Sequence, residues 1–194
     1  IVIGTQLVAK GHNFPLLTLV GVIDADLGLQ GSDLRAAERT FQLMRQVAGR
    51  AGRAEKPGVA LLQTYQPEHP VIRAILSGDE EGFWQAEAEE RRAAGMPPYG
   101  RLAGVILSST EAQEVFDLGN AMARQDAPLR RIGAQVYGPA PAPIAKVRGR
   151  HRVRLLVKAP KGAALQPALA DWAAQFRLRG ELRMAIDIDP QNFF

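Results

Sequence analysis

Two arginines, Arg50 and Arg53, stand three residues apart in the stretch QVAGRAGR, Gln46 to Arg53, where glycine and alanine are their only close neighbours. Small residues such as Gly49 allow backbone to approach a ligand and leave arginine as the only long side chain available. The guanidinium group stays charged and offers a planar fork that matches phosphate oxygens. In phosphoryl transfer such a group stabilises charge on the transferring phosphate and is worth about 10³ to 10⁵ in rate. Arg45 and Lys56 raise the local positive charge further. A lone Gly-Arg pair would read as a basic surface turn after a helix; the doubled form calls for more context.

That context begins upstream. The stretch GTQLVAKGHNFP, Gly4 to Pro15, places Thr5, Lys10, Gly11 and His12 in a loop between two apolar runs. Loops beyond the carboxyl ends of parallel strands are where such sheets bind ligands. A third concentration of charge lies downstream. Between Asp126 and Asp171 there is no acidic residue, while Arg130, Arg131, Lys146, Arg148, Arg150, Arg152, Arg154 and Lys158 fall there, with Lys161. Alternation puts Arg150, Arg152 and Arg154 on one side of a strand, with a flexible Pro-rich loop, GPAPAP, in front of them. A positive stripe on a sheet is an electrostatic footprint for phosphates. Tyr137 is the one aromatic nearby, so contact to the backbone of branched or duplex DNA fits better than stacking on single-stranded bases.

These residues need elements to hold them. Ile1 to Ile3 and Leu17 to Ile23 read as strands, the second running into Asp24 and Asp26. Ser32 or Asp33 can cap a helix in which Ala36, Ala37, Phe41, Met44 and Val47 recur at helical spacing. Pro57-Gly58 breaks the chain before a further apolar strand, Val59 to Thr64. Strands alternating with helices imply a parallel sheet of α/β type. From His69 to Ala94 the sequence is helical and acidic, a solvated face, and Pro97-Pro98 marks a boundary. Beyond it, strands over Leu102 to Ser108, Gln135 to Tyr137, Arg152 to Lys158 and Leu182 to Ile188 alternate with helices from Thr110 to Arg124 and Ala163 to Phe176. That order, βαββαβ, is that of the ferredoxin-like split fold. The organisation expected is an incomplete α/β lobe over 1–66, a helical linker over 67–98 and an α+β domain over 99–194.

Composition sets outer bounds. The 194 residues are 46% apolar and 23% charged, ordinary values for a globular chain. The net charge of +4 leans towards polyanionic partners. Absence of cysteine excludes disulfides and thiolate metal sites and fits a reducing, cytoplasmic setting. No apolar run reaches the ~18 residues of a membrane helix. His12, His69 and His151 are too scattered for a metal site by spacing. The β-branched opening, IVIGTQ, lacks an initiator Met and a signal pattern, so the natural chain is expected to start earlier.

Taken together, GTQLVAKGHNFP, the DLRAAER of Asp33 to Arg39 and QVAGRAGR resemble motifs V and VI of superfamily 2 helicases, in the spelling of the primosomal, replication-restart family. The resemblance continues through PEHP (Pro67 to Pro70), MPPYGR (Met96 to Arg101), RGRHRVRLLVK (Arg148 to Lys158) and DIDP (Asp187 to Pro190), and so spans the whole chain.

The resemblance implies that the first segment is the trailing part of a RecA-like second helicase lobe. Gln46, Gly49, Arg50 and Arg53 would then bind ATP phosphates, Arg50 or Arg53 acting as the catalytic finger. Thr5, Lys10, Gly11 and His12 would lie near the DNA backbone or on the path coupling it to ATP. Asn13 stands where these helicases often carry aspartate. No GxxxxGKT phosphate loop or DExH magnesium motif occurs in the 194 residues, so ATP and Mg would need a lobe outside them. The family's zinc cysteines are likewise absent. The resemblance further implies that Lys146, Arg148, Arg150, Arg152 and Arg154 bind forked DNA. Lys161 and Gln166 would meet single-strand DNA-binding protein, alongside other primosome proteins. A non-hydrolysing scaffold that retains helicase motifs is the alternative.

Overall fold

The computed structural model describes residues 1–4, 17–30, 33–49, 51 and 58–191. It divides into two compact units, Ile1–Glu87 and Ala88–Phe194.

The first unit holds a two-stranded parallel sheet, β1 (Leu19–Val22) beside β2 (Val59–Leu62). A short 3-10 helix, Ala25–Leu29, follows β1. Helices α1 (Ala36–Ala48), α2 (Pro70–Ser77) and α3 (Glu80–Ala93) complete the elements of this part of the chain. Residues 1–4 form no strand, although their apolar run predicts one. A strand needs a hydrogen-bonded neighbour, and among the described residues β1 and β2 pair only with each other.

Helix α1 forms where apolar positions recur at helical spacing, and Phe41 and Met44 are its buried contacts. The segment read as a linker supplies their partners. Phe83 of α3 stacks on Phe41 at 4.0 Å between ring centroids, and Trp84 meets both rings edge-on. Val71 and Ile72 of α2 are buried in the same region. Gly78, at φ +71°, ends α2 in the left-handed conformation that glycine takes without a Cβ penalty, so the helical stretch is two helices.

The second unit is a four-stranded antiparallel sheet of β3 (Gly100–Ser109), β4 (Gln135–Val147), β5 (Arg150–Pro160) and β6 (Arg183–Ile188), in the spatial order β4-β5-β3-β6. Helix α4 (Ala112–Arg124) and the short α5 (Ala127–Arg130) lie between β3 and β4, and α6 (Leu165–Ala173) between β5 and β6. Each crossover returns to a strand one place removed, which is the split βαβ arrangement that the element order predicts. The core lies on one face, where Val153, Leu155 and Val157 of β5 meet Val115, Met122, Leu165 and Trp172. Trp172 is fully buried, and its indole Nε1 donates to the Met122 carbonyl at 3.2 Å.

Two local expectations need correction. The Pro-rich GPAPAP is not a flexible loop: it lies within β4, which pairs with β5 from Gln135 to Val147 with register shifts between Tyr137 and Ala140 and between Pro141 and Lys146. β4 is an edge strand, so alternate N–H groups have no ladder partner to lose, and prolines at 139, 141 and 143 are accommodated. Nor does Thr110 cap α4. Ser109 Oγ donates to Glu114 at 2.7 Å and accepts from the Glu111 N–H at 3.3 Å, tying the strand end to the first helical turn.

Candidate functional site

In the first unit the sheet ends in an anchored carboxylate. Asp26 is buried just past β1 and accepts from Thr64 Oγ1 at 2.5 Å and the Tyr65 N–H at 2.7 Å. The Thr64 hydroxyl, then the Tyr65 N–H, with His69 nearby, hold its carboxyl below the usual carboxylate range against the opposing effect of burial. Every oxygen thus has a partner, and Asp26 serves as a clamp between the two strand ends.

The charges of DLRAAER pair with one another. Asp33 Oδ1 accepts the Arg35 N–H at 3.0 Å, and its Oδ2 pairs with Arg39 Nη1 at 2.6 Å. Arg35 Nε pairs with Glu38 at 2.7 Å, and Glu38 is buried. The motif therefore secures the start of α1. The N-cap is Arg35, not Asp33 as the sequence predicts; Asp33 holds the N-cap residue's N–H with its side chain from two residues upstream, and Ser32 lies outside the described residues.

QVAGRAGR straddles the other end of the same helix. Gln46 and Gly49 are exposed there, and the Gly49 N–H donates to the Arg45 carbonyl at 3.0 Å. The carboxyl end of a helix carries roughly half an elementary negative charge. The helix's own carboxyl end offers carbonyl groups rather than the free amides of a helix N-terminus, so an anion placed there would need side-chain cations. Arg45 is taken by Glu80, at 2.6 Å. Arg50, Arg53, Lys56, Thr5, Lys10, Gly11, His12 and Asn13 lie outside the described residues. Among the described residues no group of three or more His, Asp or Glu side chains converges on a possible metal position.

In the second unit, β4 and β5 form a hairpin closed by Arg148 and Gly149, at φ 48° and 79°. Positive φ at both central residues is the requirement of the tight hairpin turn that matches strand twist, and Gly149 meets it at no steric cost. Lys146 and Arg148 are exposed at this tip. Arg152 and Arg154 follow on β5, on the face opposite Val153 and Leu155. Among the described residues none of these four has a carboxylate partner; the Arg152 guanidinium makes only a long 3.5 Å contact to the Ile144 carbonyl.

Arg150 differs. Its Nη1 pairs with Glu181 at 2.8 Å, and its Nη2 donates to the Ser108 carbonyl at 3.2 Å and to the Glu181 carbonyl. Arg130, another member of the acid-free stretch, pairs with Asp126 at 2.7 Å, and Lys158 Nζ donates to the Ala94 carbonyl at 3.0 Å. Lys161 and Gln166 are both exposed, just before and within the first turn of α6.

A further basic residue joins this face from outside the acid-free stretch. Arg183 of β6 is in register with Ser108, as is Arg152 from the other side, so the two arginines flank one β3 residue. The signal was available in the alternation of Arg183, Ala185 and Asp187 against Met184, Ile186 and Ile188, but it lay outside the acid-free stretch. Arg101 and Asp189 belong to motifs far apart in the sequence. They pair at 2.7 Å, joining MPPYGR to DIDP across 88 residues.

Fold and site define a mixed α/β chain: a parallel-sheet unit ending in an arginine-bearing helix terminus, and a split βαβ unit with a cationic hairpin. The model of the family described as "Primosomal protein N C-terminal domain" matches residues 92–191, and the chain belongs to that family. It is similar, over all of its length, to a protein of Rickettsia felis named replication restart protein PriA, at 44% identity. Proteins of the same name from Treponema pallidum and Bacillus subtilis are 38% and 37% identical over 99% and 98% of the chain. The chain spans 30%, 29% and 24% of the length of these three relatives. Among the described residues no helix is long and apolar enough to cross a membrane.

Proposed function

We propose that this chain is the C-terminal part of an ATP-dependent DNA helicase that binds stalled replication forks and restarts replication through primosome assembly. The observation that carries the reading is the hairpin on which Lys146, Arg148, Arg152 and Arg154 stand together without carboxylate partners among the described residues. Release of condensed counterions, as protein cations neutralise phosphates, is the main source of affinity for a nucleic-acid backbone, and unpaired guanidinium and ammonium groups on one element drive it. The relatives' shared name supports the restart role.

In this reading Gln46, Arg50 and Arg53 face ATP phosphates, and the complete site, with its Mg, includes residues from another lobe. ATP supplies the phosphoryl-transfer energy; the part of this chain is to place arginine charge beyond the carboxyl end of α1. Thr5, Lys10, Gly11 and His12 serve the DNA side of the same lobe. Leu19, Ile23, Val59 and Leu61 form an exposed apolar face on the small parallel sheet, a surface that further lobe structure would cover. Lys161 and Gln166 are the candidate contacts for single-strand DNA-binding protein.

Titration with a labelled fork tests the DNA reading. Four phosphate contacts give a slope of about −3.6 in log K against log salt; a flat response removes it. The 194-residue chain is expected to show no steady ATP turnover. Steady turnover that Arg50→Ala abolishes would show that the phosphate site needs no second lobe.

A further inference from the structure

The sheet face beside the cationic hairpin carries a second set of features. Tyr137 on β4 is 47% exposed and in register with Leu156, which puts the two side chains on one face. Its hydroxyl donates to Gln135 Oε1 at 2.6 Å, and this bond restrains the ring. Arg154 is the diagonal neighbour of Tyr137, a separation of about 7 to 8 Å between Cα atoms that aromatic and arginine side chains span.

The floor next to the ring is flat and apolar. Leu156 pairs with Gly104, and Arg154 pairs with Ile106. A Cβ built on Gly104 would meet Pro190 Cγ, at 3.9 Å, so the proline ring borders the floor on that side. Arg152 lies two residues from Arg154 on the same strand, and Arg183 flanks the row beyond Ser108. Asp187, in register with Gly104, is the carboxylate of this patch and sits on the β6 side. Beside the ring, a polyanion is therefore directed along β4 and β5 and away from Asp187.

We propose that this patch is a stacking platform for an unpaired nucleic-acid strand, with one base against the Tyr137 ring and the adjoining phosphate on Arg154, backed by Arg152. The inference rests on the reading of this unit as DNA-binding and specifies the form of DNA. Bases in a duplex have both faces covered by their neighbours, whereas an unpaired base offers a π-face to any aromatic ring. The ring thus discriminates single strand from duplex, while the arginines serve both.

The test is fluorescence anisotropy with three labelled probes: a 15-nucleotide oligothymidine, an abasic backbone of equal length and a 15-base-pair blunt duplex. Tyr137→Ala is expected to weaken oligothymidine binding by about 5- to 150-fold, the range of one lost base–aromatic stack. Binding of the abasic strand and the duplex should stay within twofold. Tyr137→Phe, which keeps the ring, should bind oligothymidine within a few-fold of the parent and confirms that the ring rather than the fold is at stake. Equal losses on all three probes, or no loss on oligothymidine, overturn the platform. Loss of all DNA binding by Arg152→Ala/Arg154→Ala alongside an inert Tyr137→Ala would leave the DNA reading standing and sink the platform alone. No DNA binding by the parent chain sinks both.

Discussion

Arg150 is bound to Glu181, 31 residues away, by an ion pair of 2.8 Å and a second contact to the Glu181 carbonyl, while its Nη2 also holds the Ser108 carbonyl. Its side chain is only 18% exposed. One member of the run of arginines is thereby spent on fastening the turn end of the hairpin to the segment that leads into β6. Arg150→Ala should lower the stability of the chain by about 1.5 to 3 kcal/mol, the range for hydrogen bonds to charged groups. It should change the salt slope of DNA binding by much less than one phosphate contact. Urea denaturation and a salt titration of the same variant separate the two roles; a full one-contact loss of slope with unchanged stability would return Arg150 to the DNA surface.

Arg152 and Arg154 are expected to behave in the opposite way. The double variant Arg152→Ala/Arg154→Ala should take the slope of log K against log salt from about −3.6 to about −1.8, because each phosphate contact contributes roughly 0.9. Its urea midpoint should hardly move, since neither side chain has a carboxylate to abandon among the described residues. A shift in the midpoint with an unaltered slope would contradict the assignment.

Asp26 gives the first unit an acid-sensitive clamp. Its folded carboxyl is held below its ordinary range by Thr64 and Tyr65. A depressed folded value means that the contribution is fully present above the unfolded value, near 3.9, and disappears as pH falls through the lower folded value. Stability of this unit should therefore decline below about pH 4, and Asp26→Asn should flatten that decline while lowering stability at pH 7. Denaturation melts between pH 7 and pH 2.5, followed by Trp84 fluorescence, measure both effects. An Asp26→Asn protein with the parent's pH profile would rule the clamp out.

Phe41 and Trp172 report on the two cores separately. Truncating either to alanine removes a fully buried aromatic side chain, and each loss should cost about 3 to 5 kcal/mol. Phe41→Ala should also release the stacked Phe83 and so loosen α3, whereas Trp172→Ala should leave Trp84 fluorescence as it is. Hydrogen exchange on each variant shows which unit has lost protection. Equal loss in both units from either change would mean that their cores are not independent.

Much of the fold is written in local pattern. Alternation in β3, β5 and β6 and helical spacing in α1 and α4 follow from which side chains must leave water, so the βαββαβ order is readable from residue types alone. The motifs QVAGRAGR, GTQLVAKGHNFP and DLRAAER are likewise contiguous, and they carry the family resemblance without a structure. What a sequence hides is partnership between distant residues. Charge read along the chain made Arg130, Arg150, Arg152, Arg154 and Lys158 equivalent; in space Asp126, Glu181 and the Ala94 carbonyl occupy three of them and leave two.

The prolines of GPAPAP looked like a loop because proline cannot donate to a ladder, yet an edge strand tolerates it, and only the strand order reveals which strand is the edge. Tyr137 stands alone in the sequence for a similar reason: the pairing of β4 with β5, which the turn at Arg148-Gly149 and the buried row of Val153, Leu155 and Val157 fix together, is what puts it opposite Leu156, on the sheet face that carries Arg154. Sequence by itself determined which residues seek the core and which carry charge. Tertiary structure decided which charges are already neutralised and which side chains share a face, because those depend on register and strand order, which join residues tens of positions apart.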